Sequence, residues 1–550
     1  MIDNKKLAEL LFPDINKTPE DLEKLYPPRD LAKNAMVTRI APSPTGFIHI
    51  GNLFGALVDE RLAHQSEGIF YLRIEDTDQK RKVEGATELI LDTFKKYGFA
   101  FDEGFDENGG KGLYGPYSQQ QRAEIYHIIA KYLVEKGLAY PCFCTEDEIN
   151  QIREAQIADS ENPGYYGKYA KHREASIEEI EKNIKEGKPY VLRLRSNGNP
   201  ENIIKFKDLV KGELEIPENN MDIVILKSDG IPTYHFAHVV DDHFMRTTHV
   251  VRGEEWLSTF PLHLQLFEYL GWQPPRFIHT AHMLKLEGES KRKLSKRKDP
   301  EFGIEYYNKE GFPVKAIMEY LMTILNSNYE EWRLKNPDAP YTDFKFKYEK
   351  MSASGALFDM DKLMDISKNI VAKMSAQEVY DNLIDWAKDY DEEFYGLLIK
   401  DPEYAKNILS IGRGGKKPRK DLSVWSKVKE YMDFFYDELF YQTFTFPENL
   451  TDNDVKEVLI RYLDIYNEND DQNAWFERLK DLATELGFAS ETKEYKNNPT
   501  DYKGHVGDIA MVLRIAITGK TMSPDTYAVM QVMGKSRVIK RIKSAIEYFN

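Results

Sequence analysis

The chain has 550 residues, more than one hydrophobic core usually supports, so about two to four domains are expected. Hydrophobic residues make up 41% and charged residues 30%, an ordinary balance for a folded chain and far from that of a disordered one. The formal net charge of -16, from 75 Lys+Arg against 91 Asp+Glu, excludes a protein that coats nucleic acid nonspecifically, and two cysteines only two residues apart, Cys142 and Cys144, exclude a disulfide framework.

The N-terminus has no basic start, apolar stretch and small-residue cleavage site, and no apolar run approaches about 20 residues, so a cytoplasmic protein that crosses no membrane is expected. Residues 1–36 hold a short amphipathic piece (Leu7, Leu10, Leu11) and then Pro27-Pro28, an appended helix and linker with no assigned chemistry. The run 37–40 is β-rich, Leu53, Leu57 and Leu62 follow at helical spacing, and 69–74 is again β-rich. Such a βαβ unit implies a parallel sheet, in which ligands bind where the strands' carboxyl ends meet the following loops. The loop 41–52 occupies that place.

From 121 to about 220 the pattern mixes helix (146–158) and strand (190–195), an insertion in the sheet domain. Strands resume at 223–226, 250–251 and 277–278, and helical periodicity dominates from about 301 to the end, with 506–517 and 538–546 as clear stretches. The expected fold class is α/β: a Rossmann-like parallel sheet split by a mixed α/β insertion and followed by all-helical C-terminal domains.

In the first loop, Pro42-Ser43-Pro44-Thr45-Gly46 shapes a tight entry to a helix whose unpaired amides and positive dipole end suit a phosphate. His49 and Asn52 can add donors as charge develops at the α-phosphorus, and Gly51 leaves room for a ligand against the backbone. Taken alone, His-x-Gly is more often a structural histidine at a helix start. After Gly288 the run Lys291-Arg292-Lys293-Leu294-Ser295-Lys296-Arg297-Lys298 is suited to a mobile arm that clamps triphosphate and steadies departing pyrophosphate. Alone, such a run is more often a solvated loop or an RNA-contact patch.

Gly110-Lys111-Gly112-Leu113-Tyr114-Gly115 fits the G-x-G-x-x-G pattern, but no buried strand precedes it and Pro116 blocks a helix directly after it, so no dinucleotide site is assigned. Cys142-Phe143-Cys144 is at most half of a zinc site, since zinc needs about four ligands and no other cysteine exists; no metal ligands are assigned and structural zinc is not expected. The basic cluster Arg413, Lys416, Lys417, Arg419 and Lys420 fits either contacts to the phosphates of an RNA or a solvated loop.

The two motif stretches, His49-Ile50-Gly51-Asn52 and Lys293-Leu294-Ser295-Lys296-Arg297, together resemble the HIGH and KMSKS signatures of class I aminoacyl-tRNA synthetases. Arg73-Ile74-Glu75-Asp76-Thr77-Asp78, Gly115-Pro116-Tyr117-Ser118-Gln119 and Tyr234-His235-Phe236 through Asp241-Asp242-His243 to Arg252-Gly253-Glu254-Glu255-Trp256 narrow the likeness to the glutamyl branch. Ser352-Ala353-Ser354-Gly355-Ala356-Leu357-Phe358-Asp359 and Leu513-Arg514-Ile515-Ala516-Ile517-Thr518-Gly519 resemble its bacterial form.

The resemblance implies a glutamate–tRNA ligase using ATP with Mg²⁺, L-glutamate and tRNA(Glu), with tRNA(Gln) left open, acting as a monomer. It implies that ATP lies on Pro42, Ser43, Pro44, Thr45, Gly46, His49, Gly51, Asn52, Lys293, Leu294, Ser295, Lys296 and Arg297. His49, Asn52, Lys293 and Lys296 would carry the catalysis. Glutamate would contact Arg39, Ala41, Ser43, Glu75, Tyr234, His238, Arg252 and Trp256, with Arg39 and Arg252 on a carboxylate and Glu75 on the α-ammonium. His238 departs from the Asn expected there and brings a group whose charge can vary with pH.

Zinc-bearing relatives supply a downstream cysteine where this chain has Tyr169, with His172 the imidazole nearby. The implied domains are 1–36, an N-terminal extension; 37–120 and 223–300, the two catalytic halves; 121–222, an acceptor-stem-binding insertion; 301–385, a stem-contact helical domain; and 386–550, a helical anticodon-binding domain. Glutaminyl-tRNA synthetases differ in the first loop and in a β-barrel anticodon region. A nonenzymatic paralogue would not need His49, Lys293 and Lys296, and a small-molecule nucleotidylyltransferase would not need the helical half.

Overall fold

A computed structural model of the protein describes residues 3–81, 83–441 and 443–549. The chain forms two units, Met1–Tyr306 with Met318–Asp359, and Tyr307–Ile317 with Met360–Asn550.

In the first unit Asp3 caps α1 (Asn4–Leu11) by accepting the amides of Lys5 and Lys6 at 3.1 Å. Pro19 opens α2 (Pro19–Leu25) behind a Thr18–Asp21 capping box, a start signal inside a stretch expected to be linker. Leu7, Leu11, Leu22 and Tyr26 are buried, and both helices pack on the helix Ala123–Glu135. β1 (Val37–Ile40), α3 (Ile50–Gln65) and β2 (Ile69–Leu72) make the expected βαβ unit, with β1 and β2 parallel and Arg39 opposite Tyr71. α3 is buried at every position from Ala56 to Ala63, so the leucine stripe in the sequence marks only one of its covered faces.

α4 (Ala86–Lys96) leads to β3 (Glu103–Gly104), parallel to β2. The glycines beyond it take positive φ, +140° at Gly110 and +125° at Gly112, where a Cβ on Gly112 would sit 2.4 Å from the Tyr117 hydroxyl. They make room for a neighbouring tyrosine.

The insertion contains α5 (Ala123–Glu135), β4 (Ala139–Cys142), α6 (Glu146–Ala158), α7 (Ile177–Lys185), β5 (Val191–Leu194), the hairpin of β6 (Ile203–Asp208) and β7 (Gly212–Pro217), and β8 (Val224–Leu226). β5 pairs antiparallel with both β4 and β8, so the strand expected to resume the nucleotide sheet at 223–226 joins the insertion's sheet. α8 (Tyr234–Phe244), β9 (His249–Gly253), α9 (Phe260–Tyr269) and β10 (Arg276–Thr280) follow. β9 and β10 are parallel, and β9 lies beside β1, with the Thr248 amide donating to the Val37 carbonyl at 3.0 Å. β11 (Met283–Glu287) and β12 (Ser290–Lys293) form a hairpin, and β13 (Ala356–Leu357), parallel to β11, is one short strand among the helices expected beyond residue 301.

The second unit is helical, with Met360–Lys373, Ala376–Tyr390, Asp452–Ile465, Gln472–Glu485, Val506–Thr518 and Lys535–Glu547 among its longest elements. Leu383, Leu459, Leu479, Leu513 and Ile542 share its core.

Candidate active site

A cleft of about 740 Å³ opens where the ends of β1, β9 and β10 run into their loops. Arg39, Ala41, Pro42, Ser43, Thr45, His49, Gly51, Asn52, Glu75, Tyr234, Arg252, Trp256, Lys293 and Leu294 all line it. Of the residues singled out from the sequence, Pro44, Gly46, Ser295, Lys296 and Arg297 stand outside its wall, and His238 lies behind Tyr234.

The Pro42 carbonyl accepts the Glu75 amide at 3.0 Å, pinning the first loop to the segment after β2. His49 is the N-cap of α3, and its backbone N–H donates to Asn52 Oδ1 at 3.0 Å. The Asn52 oxygen is therefore committed to the cap. The His49 ring stacks on Phe302 with centroids 4.4 Å apart, and its buried Nδ1 has no partner. Burial pushes its pKa down to about 4, with Glu255 opposing and Lys293 and Lys296 assisting, so the ring is neutral near pH 7. A Cβ on Gly51 would meet His49 Nδ1 at 2.9 Å; the glycine makes room for the imidazole, where a ligand was expected.

Lys291, Arg292 and Lys293 belong to strand β12, so only the turn after them is a loop. Lys293 Nζ lies 3.4 Å from His282 Nε2, and the buried Leu294 donates its amide to the Met283 carbonyl at 2.9 Å. Asp299 closes the turn: it accepts Arg292 Nη1 and Nη2 at 2.6 and 2.7 Å and the Ser295 amide at 2.9 Å. The Arg292 guanidinium holds its carboxyl well below the usual range. Lys296 is exposed, with Nζ 5.2 Å from the centre of the Phe47 ring and beside Gly46, so the second motif stands over the first.

Deeper in, Arg39 is buried and bonded twice to Asp242, Nε to Oδ1 at 3.1 Å and Nη2 to Oδ2 at 3.4 Å; Arg73 Nη1 reaches the same carboxylate at 2.7 Å. Glu75 accepts Arg73 Nη2 at 2.9 Å; burial pushes its pKa up against Arg73 and Arg39. Tyr234 and Trp256 stack with centroids 4.3 Å apart. Arg252 differs from Arg39. Among the described residues no carboxylate lies within ion-pair reach of it; Nε and Nη1 donate to His279 and His263, and the buried Nη2 has no partner. Asp242 enters the sequence reading only inside a motif stretch, with no site role, although two adjacent aspartates amid Ala237, Val239, Val240 and Phe244 on one helix are a readable signal of a buried charge network. Asp299, His263, His279 and His282 carry no comparable signal.

Two clusters lie apart from the cleft. Cys142, Cys144 and His172 bring ligand atoms within 4.8 Å of one another, and the Tyr165 hydroxyl lies 3.4 and 3.5 Å from the two sulfurs. The sequence offers two cysteines with His172 nearby; the fold brings these three together and sets the Tyr165 phenol beside them, three ligands of the usual kind plus an oxygen. In the second unit, Arg413 donates to the carbonyls of Leu409, Val371 and Met374 at 2.7, 2.6 and 3.3 Å, and Arg419 pairs with Asp421. Lys416, Lys417 and Lys420 are exposed.

The family profile described as tRNA synthetases class I (E and Q), catalytic domain, matches residues 35–365, and that of the anticodon binding domain matches 378–546, so the chain has the make-up of a class I aminoacyl-tRNA synthetase. It is 54% identical to the glutamate–tRNA ligase of Acetivibrio thermocellus over 98% of this chain and all of that one. It is 46% identical to that of Sorangium cellulosum, over 97% and 99%. A crystal structure of a glutamate tRNA ligase from Elizabethkingia meningosepticum, in complex with its amino acid, superposes with a TM-score of 0.70 at 27% identity, covering 94% of this chain and 100% of that one. The chain belongs to the glutamate–tRNA ligase family.

Proposed function

We propose that the protein activates L-glutamate with ATP and esterifies it to tRNA(Glu). The observation that carries the reading is Arg252, a buried guanidinium with a free N–H and no carboxylate of its own beside a cleft that the two motifs enclose. The substrate's side-chain carboxylate completes that pair, and Arg39, already matched to Asp242, adds a second edge. Glu75 receives the α-ammonium on the oxygen that Arg73 leaves free, while Ala41, Ser43, Tyr234, Trp256 and, behind them, His238 shape the wall. A site built on such bonds can reject an analogue lacking them by about 10⁴ to 10⁵.

In the first step a glutamate α-carboxylate oxygen attacks the α-phosphorus and pyrophosphate leaves. The start of α3, neutral His49 and the Asn52 NH₂ hold the phosphates, and Lys293 and Lys296 offset the charge on the leaving group. Mg²⁺ usually takes one or two carboxylates plus substrate phosphates; Glu255, which lines the cleft, would hold the ion, and the ion would offset the charge of the phosphates. In the second step the 2′-hydroxyl of the terminal adenosine attacks the adenylate carbonyl and AMP leaves; no general base is assigned, and positioning suffices. Residues 121–222 receive the acceptor stem, 301–385 the stem below it, and 386–550 the anticodon, with Lys416, Lys417 and Lys420 as phosphate contacts. The protein acts as a cytoplasmic monomer.

Aminoacylation with labelled glutamate on tRNA(Glu) and tRNA(Gln) transcripts tests this. Charging of tRNA(Glu) is expected, and charging of both marks a relaxed enzyme. No charging of either by folded protein with ATP overturns the reading.

A further inference from the structure

Arg252 projects from β9 against the rings of Phe277 and Phe260, with Cζ 5.0 and 5.4 Å from their centroids. Its Nε donates to His279 Nε2 at 3.1 Å and its Nη1 to His263 Nδ1 at 3.2 Å. Because a guanidinium only donates, both ring nitrogens accept, and both tautomers are fixed. His279, on β10, carries its proton on Nδ1 and gives it to Asp208 Oδ2 at 2.7 Å. His263, on α9, carries its proton on Nε2 and gives it to His235 Nδ1 at 2.8 Å. Asp208, the last residue of β6, also accepts the amides of Val210, Lys211 and His279 at 2.9, 2.7 and 3.1 Å. Burial opposes its ionisation, but His279 and those amides hold its carboxyl below the ordinary range.

Arg39 and Arg252 enter the same cleft under opposite arrangements. Asp242 neutralises Arg39 at close range, whereas two neutral imidazoles accept from Nε and Nη1 of Arg252 and form no ion pair with it. Two carboxylates stand behind these groups, Asp208 on His279 and Asp242 on Arg39, and neither bonds Arg252 itself. An uncompensated buried charge is costly, and a carboxylate ligand relieves that cost where a carboxamide does not.

We propose that Asp208, His279 and His263 are positioning residues for carboxylate selection: they aim the Arg252 fork at the substrate side chain and leave its charge unpaired. This rests on the reading of Arg252 as a glutamate contact. Asp208 sits on the β6–β7 hairpin, so a residue of the insertion sets the geometry of the amino-acid pocket.

Two substitutions in the full-length enzyme separate this from a packing role. His279→Asn places its carboxamide where Nδ1 was, keeping Asp208's partner and withdrawing the acceptor from Arg252. His279→Gln places its oxygen where Nε2 was and keeps that acceptor. In ATP–pyrophosphate exchange with tRNA present, the Asn variant should raise KM for glutamate roughly tenfold or more, the worth of one hydrogen bond to a charged group. KM for ATP should stay put, the Gln variant should remain within about threefold of wild type, and the two should melt together. The preference for glutamate over glutamine as inhibitor should narrow in the Asn variant alone. Equal effects of Asn and Gln, or equal shifts in both KM values, overturn the proposal. If the Asn variant does not fold, Asp208→Asn serves: its NH₂ can face His279 and release the tautomer, so the same rise for glutamate alone is expected, and an unchanged KM overturns it. Wild-type enzyme that fails to activate glutamate at all defeats the parent reading instead.

Discussion

His238 stands where the resemblance leads to asparagine, and its surroundings decide whether that matters. The ring is fully buried, stacked on Tyr234 at 5.4 Å, and its Nδ1 donates to Asp242 Oδ2 at 2.9 Å. Burial pushes its pKa down to about 4 although Asp242 pulls the other way, so it stays neutral at working pH. His238→Asn, which keeps a polar group of similar reach, is expected to change KM for glutamate by less than about threefold and to leave its profile flat from pH 6 to 8, well above the titration of a group at about 4. A wild-type KM that climbs tenfold across that window while the variant stays flat would show that the imidazole titrates there. Lys296 is the opposite case, exposed and standing over Phe47. Lys296→Ala should lower the exchange rate by about 10² to 10³, the usual worth of one positioned charge donor, with an unchanged melting temperature.

At the scale of the element, Arg413 shows how a basic cluster can mislead. Its guanidinium satisfies carbonyls near the ends of Met360–Lys373 and Pro402–Ser410, groups that a helix end otherwise leaves bare. Arg413→Ala is therefore expected to destabilise the second unit by about 2 kcal/mol without altering KM for tRNA, while the triple change Lys416→Ala, Lys417→Ala, Lys420→Ala should raise KM for tRNA and leave the melt alone. Paired melts and aminoacylation titrations read both, and the reverse pattern would return Arg413 to the RNA. The sequence could not show this, since a run of charges does not state which of them finds a buried carbonyl. Periodicity and turn chemistry did make β1, α3, β2 and α6 legible, because those signals are local. The partner of β8 was not legible: Val-Ile-Leu fits either sheet, and only packing at long range decides between them. The motifs likewise located His49, Lys293 and Arg252, but not His279, whose link between Arg252 and Asp208 forms only when distant strands meet.

Across the whole molecule the histidines are unevenly shared. Of the 12, only His505 lies in the second unit; the other 11 fall within residues 1–306. Burial pushes His49, His235, His238 and His249 each down to about 4 from an ordinary 6.5. Between those values the unfolded chain binds protons that the folded unit refuses, so stability falls as pH falls. The contribution is fully present above about 6.5 and is lost progressively toward 4. Depressed carboxylates in the second unit, such as Asp437 and Asp454, release their stabilisation only at lower pH, as the pH falls through their ordinary 3.8 toward their lowered values. On acidification the first unit is therefore expected to open first. Hydrogen exchange followed on peptides from each unit at pH 7.5, 6.5, 5.5 and 4.5 reads this directly: protection in α3, α8 and β9 should hold to about 6.5 and then drop, while Val506–Thr518 stays protected. Loss of protection in Val506–Thr518 before α8 would show that the buried imidazoles do not set the acid limit of the fold.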